Sequence, residues 1–241
     1  KERHKQELFL LEGTHLLEEA CIANYPLVIV CCTARWQADH EQLWQLAVEK
    51  CDRALVVSED VMKALATTVH PDGVVATAKR GHHDNSLPFS GLQIALEALQ
   101  DPGNLGTIIR TAAAAGASGL RLSKNSVDSD NPKVLRASAG QWFRLPMFLS
   151  EDLQSTVAEA KQGGMQIIAT LPAANLTYWQ VDWQKPSLIL LGNEGAGLSA
   201  ELSEMADFNV KIPLQPGVES LNVAITAALI LYEAQRQKIC S

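Results

Sequence analysis

Histidine is missing from residue 84 to the end of this 241-residue chain: all six, at positions 4, 15, 40, 70, 82 and 83, lie in the first third. Chemistry in the remainder must do without imidazole, the side chain that titrates near neutrality. Positive charge is also scarce. Twenty lysines and arginines against 27 acidic residues leave a formal net charge of −7, which excludes a protein that coats nucleic acid through a broad basic stripe. Specific binding through a local patch stays open. The five cysteines, Cys21, Cys31, Cys32, Cys51 and Cys240, are odd in number and lack CxxC spacing, so we read reduced thiols and neither a disulfide framework nor a zinc site. No apolar run approaches the roughly 20 residues that span a bilayer. Lys1 to Glu7 are too charged for a signal peptide, and a cytoplasmic protein is expected. The opening KERHKQELFLLEG has no methionine, which suggests that further, positively charged residues precede it. GxGxxG and GK[ST] loops are missing, which disfavours dinucleotide binding and nucleoside triphosphate hydrolysis.

What is present is the composition of an α/β protein, with 47% hydrophobic and 20% charged residues. Residues 8 to 78 alternate short apolar runs with amphipathic stretches: helical over 14–24, 39–50 and 58–66, extended over 27–32, 54–57 and 74–78. The run KRGHHDNSLPFSG, 79 to 91, is polar and broken, the composition of a linker. This predicts a first domain over 1–79, a linker over 80–91 and a second domain over 92–241. Neighbouring His82 and His83 lack a third ligand and read as solvated linker. The second domain alternates strands (92–99, 119–122, 165–170, 188–192, 208–212) with helices (105–115, 132–139, 153–162, 221–237). That order predicts a parallel sheet covered on both faces.

Three glycine-containing elements stand out. In DPGNLGTIIRTAAAAGA, Asp101 to Ala117, Pro102 and Gly103 make a turn, Asn104 is the expected helix cap, and Arg110 sits in an otherwise apolar helix. On spacing alone, an ordinary strand-to-helix connection with a surface arginine reads as well. A charge among apolar neighbours nevertheless seeks a pocket, partner or anion. LILLGNEGAGLS, Leu188 to Ser199, is an apolar strand running into a glycine-rich loop, the kind of loop that receives ligands at the carboxyl ends of parallel strands. Glu194 in it suits a cation or an arginine better than a phosphate. In KIPLQPGVESLNVA, two prolines and a glycine break the chain before a long helix, with Ser220 as its expected cap and Asn222 as a polar residue of its first turn.

Taken in order, NLGTIIRTA, LLGNEGAGLS and IPLQPGVESLNVA resemble the three signature motifs of the SpoU, or TrmH-like, branch of the SPOUT RNA methyltransferases, and FLLEGTHLLEEA resembles that family's amino-terminal substrate-binding domain. The resemblance implies a small ribosomal-protein-like α/β domain followed by a trefoil-knotted domain. It implies S-adenosylmethionine as cofactor, a ribose 2′-hydroxyl as acceptor, and a homodimer whose two subunits complete each site. It also implies that Gly192, Ile212 and Leu221 contact the cofactor, with Thr170, Leu171 and Asn193 beside them. Arg110 takes the place of the catalytic arginine; Asn104, Glu194, Ser220 and Asn222 take those of groups that hold it or the RNA. Guanidinium, with a pKa above about 12, suits stabilisation of a developing alkoxide rather than proton abstraction. Lys133 and Arg136, one helical turn apart, can clamp an RNA backbone or form a solvated basic face. Trp142 or Trp179 stacks on a base or belongs to the core. Ala114 and Thr226 depart from the family's pattern. The implied partner is RNA, ribosomal before transfer RNA; DNA, a membrane and a metal are not implied. A non-catalytic RNA-binding or ribosome-assembly protein is the competing reading.

Overall fold

The computed structural model describes residues 6–80 and 87–240. They divide into two compact units, residues 6–80 with 128–144 and residues 87–127 with 145–240.

The first unit is a four-stranded mixed sheet of order β1-β4-β2-β3, with β1 Leu8–Glu12, β2 Leu27–Thr33, β3 Cys51–Val57 and β4 Val74–Lys79. β4 runs antiparallel to both neighbours, while β2 and β3 are parallel. Between the strands lie α1 (Thr14–Ile22), α2 (Ala34–Asp39), α3 (Glu41–Glu49) and α4 (Glu59–Leu65). The helix expected over 39–50 is α3, and the short α2 before it, unforeseen in the sequence, ends where the His40 ring stacks on Trp36 at 4.8 Å. β1, unforeseen in the sequence, buries Phe9 and Leu11. At its end Glu12 is 5% exposed and accepts hydrogen bonds from the Thr67 amide (2.9 Å) and hydroxyl (2.6 Å), the Thr68 amide (3.0 Å) and the Thr68 hydroxyl.

The second unit is a seven-stranded parallel sheet of order β7-β6-β5-β10-β8-β11-β9. Its strands are β5 Leu92–Leu96, β6 Gly119–Ser123, β7 Met147–Ser150, β8 Gln166–Thr170, β9 Leu176–Thr177, β10 Ser187–Leu191 and β11 Phe208–Lys211. β10 is buried along its whole length, as expected of a strand covered on both faces. Leu188 and Leu190 of β10 pack with Ala95, Ile167, Val157 and Leu202, each such aliphatic burial contributing about 1.5–3 kcal/mol. Helix α5 (Pro102–Ala114) starts earlier than expected: Asp101, not Asn104, is its cap, accepting from the Asn104 amide at 2.9 Å, with Pro102 in the first turn.

The connection from β6 to β7 carries α6 (Pro132–Ala137) and a turn of 3-10 helix, Gln141–Phe143. Residues 128–144 group with the first unit rather than with the second, where the sequence put them. Aromatic packing is the physical reason: Trp142 lies 5.1 Å from Phe9 and 5.7 Å from Tyr25, ring centre to ring centre, and Phe143 lies 5.4 Å from Tyr25. Arg144 pairs with Glu19 at 2.6 Å, and Arg80 pairs with Asp130. The remaining helices are α7 (Leu153–Gln162), α8 (Ala200–Glu204) and α9 (Val223–Ile239). Of the expected linker, His82 and His83 lie outside the described residues. Leu87 is buried, and its carbonyl accepts at 2.6 Å from Arg121, itself 2% exposed with Phe89 and Phe148 over its guanidinium at 4.1 and 5.3 Å. Among the described residues no helix is long and apolar enough to cross a membrane, and no group of three or more His, Cys, Asp or Glu is placed to hold a metal ion.

Candidate active site

The carboxyl ends of β8, β10 and β11 open onto one cavity of about 600 Å³ in the second unit. In an open parallel sheet this is the edge at which ligands bind. All six residues expected to contact a cofactor, Thr170, Leu171, Gly192, Asn193, Ile212 and Leu221, line it, as do Glu194, Ser220 and Asn222. Asn104 sits on α5 and reaches the rim through hydrogen bonds. Arg110 is exposed on the same helix, does not line the cavity, and forms no ion pair or hydrogen bond among the described residues.

The loop after β10 folds back on itself, with Asn193 and Gly197 exchanging backbone hydrogen bonds at 2.9 Å. A side chain at Gly192 has no room, since a Cβ there would lie 2.1 Å from the Gly197 carbonyl carbon and the Leu198 nitrogen. The Asn193 side chain is committed to shaping this loop: its oxygen accepts from the amides of Gly195 (2.8 Å) and Ala196 (2.9 Å), and its amide donates to the Ala98 carbonyl at 2.8 Å.

Two carboxylates tie this loop to the segment before α5. Glu97 accepts from the Ser199 amide at 2.7 Å. Glu194 accepts from the amides of Gln100 (3.2 Å) and Asp101 (3.1 Å) and from the Asn104 side chain (3.1 Å). Burial pushes the Glu194 carboxyl up, but the hydrogen bonds, first that from Asn104, outweigh it and hold the group below its usual value. The oxygen of Asn104 in turn accepts from the Asn222 amide at 2.9 Å. Asn222, rather than Ser220, caps α9, accepting from the amides of Ala224 and Ile225. The three glycine-containing elements thus meet in one chain of contacts, Asn222 to Asn104 to Glu194, while the Ser220 hydroxyl stays exposed at the rim with no hydrogen bond among the described residues.

Chemically, the cavity combines apolar walls (Leu171, Leu191, Ile212, Leu214, Leu221) with backbone from a glycine-rich loop, which suits a flat heterocycle and a thioether-like chain. The buried Thr170 hydroxyl has no hydrogen-bond partner, and such an orphaned group fits a cavity completed by a polar ligand. Of the remaining candidates, Lys133, Arg136 and Trp142 lie in the first unit and Trp179 in the second. Lys133 and Arg136 are both exposed on α6, but Arg136 leans on Glu12 at 3.5 Å and Thr67 at 3.2 Å, so the two are not a pair of uncommitted cations. Trp142 is core, whereas Trp179 is 52% exposed. Sequence reasoning missed Glu97, Lys211 and Glu219, the last two of which line the cavity. Glu97 and Lys211 sit at strand ends and Glu219 in an irregular loop, where no periodicity marks them; only the adjacency of Glu219 to Ser220 offered a signal.

Residues 91–232 match the model of the SpoU rRNA Methylase family, and residues 1–76 match the MRM3-like substrate binding domain. The chain is 44% identical over 239 residues to an uncharacterized tRNA/rRNA methyltransferase of Synechocystis, covering 99% of this chain and 87% of that one. It is 34% identical to the 23S rRNA (guanosine(2553)-2′-O)-methyltransferase RlmP of Bacillus subtilis, covering 96% and 90%. Among solved structures, the SpoU methyltransferase AviRb of Streptomyces viridochromogenes in complex with AdoMet superposes with a TM-score of 0.86 at 28% identity, covering 98% of this chain and 92% of that one. An AdoMet-bound rRNA methyltransferase from Sinorhizobium meliloti superposes with a TM-score of 0.85 at 31% identity, covering 97% and 89%.

Proposed function

Because the chain belongs to the SpoU rRNA Methylase family, we propose that it transfers a methyl group from S-adenosylmethionine to a ribose 2′-hydroxyl of ribosomal RNA. The observation that carries this reading is the convergence of Thr170, Leu171, Gly192, Asn193, Ile212 and Leu221 on one cavity, in a fold whose AviRb and Sinorhizobium relatives bind AdoMet. When bound, the cofactor supplies an electrophilic methyl group on a sulfonium. Thr170 and Leu171 after β8, Gly192 and Asn193 after β10, and Ile212 and Leu221 after β11 would hold it. Ribosomal RNA is preferred over transfer RNA because RlmP is named for a ribosomal target.

Ser220 and Asn222 hydrogen-bond the ribose and its phosphate, and in-line alignment of the acceptor oxygen provides much of the rate. The acceptor hydroxyl gives up its proton to solvent, and Arg110 stabilises the negative charge that develops on its oxygen. Asn104 and Glu194 keep the cavity rim in the geometry that receives the RNA. Since Arg110 does not line the cavity of its own chain, the guanidinium that acts there comes from a second copy in a homodimer. An exposed apolar stripe on α9, Ile225, Leu229 and Tyr232, supports this: α9 packs beside α5, which carries Arg110, and the stripe is the kind of surface a second subunit covers. The first domain, 1–79, with Lys133 nearby in the same compact unit, binds the RNA in the cytoplasm.

The test incubates the protein with methyl-labelled S-adenosylmethionine and separate pools of ribosomal and transfer RNA, then maps label by its resistance to alkaline cleavage. Alkali-resistant label in ribosomal RNA is expected. Label only in transfer RNA would move the substrate, and cofactor binding without label in either pool would return the protein to the non-catalytic reading.

A further inference from the structure

Three charged side chains line the cavity: Glu194, Lys211 and Glu219. Glu194 is committed, its two oxygens serving three N–H groups. Lys211 and Glu219 form no ion pair or hydrogen bond among the described residues. Glu219 is held on the wall by its neighbours: the chain turns at Gly217 (φ +87°), where the Val218 amide donates to the Gln215 carbonyl at 3.2 Å, and three residues on, Asn222 is fixed by capping α9 and by its bond to Asn104. The cavity thus carries one uncommitted anion and one uncommitted cation.

S-adenosylmethionine has a sulfonium, an ammonium and a carboxylate; its product, S-adenosylhomocysteine, has lost only the sulfonium charge. An anion near the sulfur therefore favours cofactor over product, whereas one placed on the ammonium favours neither. We propose that Glu219 is a specificity-determining residue that attracts the sulfonium, so that transfer of the methyl group itself removes the attraction and loosens the product, with Lys211 meeting the carboxylate common to both. This rests on the cofactor reading above. Unit charges several ångströms apart in a partly solvated cleft favour the charged ligand by about three- to tenfold, and salt screens that preference.

The experiment measures the dissociation constants of S-adenosylmethionine and S-adenosylhomocysteine by calorimetry for wild type, Glu219→Gln and Glu219→Asp, at low and high salt, with thermal melting as a check on folding. The wild type is expected to prefer the cofactor, Glu219→Gln to reduce that preference by about three- to tenfold, Glu219→Asp to keep most of it, and salt to erode it in the wild type only. Equal weakening of both ligands by Glu219→Gln would place the carboxylate on the ammonium and overturn the proposal, as would an unchanged ratio. A wild type that binds neither ligand removes the cofactor reading itself, and this proposal with it.

Discussion

The side-chain amide of Asn104 donates to Glu194 at 3.1 Å across a separation of 90 residues, and the oxygen of the same Asn104 accepts from Asn222 at 2.9 Å across 118. One small amide joins the first turn of α5, the glycine-rich loop and the cap of α9. Removing the carboxylate leaves the amides of Gln100 and Asp101 to water and frees the loop that lines the cavity. For Glu194→Ala we expect a stability loss of about 1–2 kcal/mol and cofactor binding weaker by about tenfold, read by urea unfolding and calorimetry. Unchanged affinity would show that the loop holds its shape without this anchor.

Arg110 and the cavity belong to different subunits if the site is shared. Arg110→Ala should then bind cofactor normally while transfer falls by at least about 100-fold, the scale of losing one charge-stabilising donor. Gly192→Ala should fail in the complementary way, since its Cβ has no space against Gly197 and Leu198. Neither variant is active alone. Mixed and re-equilibrated, they form hybrid dimers with one intact site, recovering up to about a quarter of wild-type activity by random association of subunits. A mixture as inactive as its components would sink the shared-site reading.

Motif residues were legible because each answers a local demand that sequence displays. Gly192 has no room for a Cβ, Pro102 suits a first helical turn, and the apolar run Leu188–Leu191 fits a strand covered on both faces. Which polar residue serves which purpose was less visible. Asn104 and Ser220 looked like helix caps, but Asp101 and Asn222 fill those positions, and this releases Asn104 to bridge two other elements. The grouping of residues 128–144 with the first unit rests on Trp142 and Phe143 meeting Phe9 and Tyr25, contacts between positions more than a hundred residues apart that no local pattern encodes. β7 and β9 went unseen for a simpler reason: at four and two residues they are too short to show periodicity.

Acid should weaken the first unit through Glu12. Burial raises its carboxyl, but hydrogen bonds from Thr67 and Thr68 outweigh that and hold it below the ordinary 4.5. Because folding lowers this pKa, the native state favours the ionised form. The resulting stabilisation is fully present above about 4.5 and is lost as pH falls through the lower folded value. Urea midpoints measured from about pH 7 down to about pH 3 should decline below 4.5 in the wild type. Glu12→Gln should be less stable at neutral pH by about 1–3 kcal/mol, the cost of a lost charged hydrogen-bond acceptor, and show a shallower acid slope. Parallel slopes in the two proteins would assign the acid sensitivity to other carboxylates.

Ala98 carries strain that a single substitution can release. Its φ of +51° lies in the left-handed region, which costs a residue with a Cβ about 1 kcal/mol or more. The position is held by backbone groups alone: its amide donates to the Ser123 hydroxyl at 2.8 Å, and its carbonyl accepts from the side chains of Asn193 (2.8 Å) and Gln100 (3.0 Å). Glycine keeps all three contacts and removes the steric cost, while adding freedom to the unfolded chain that takes back part of the gain. Ala98→Gly should therefore stabilise the second unit by about 0.5 kcal/mol, seen as a higher urea midpoint with an unchanged slope. A lower midpoint would mean that the alanine methyl makes packing contacts worth more than the strain it imposes.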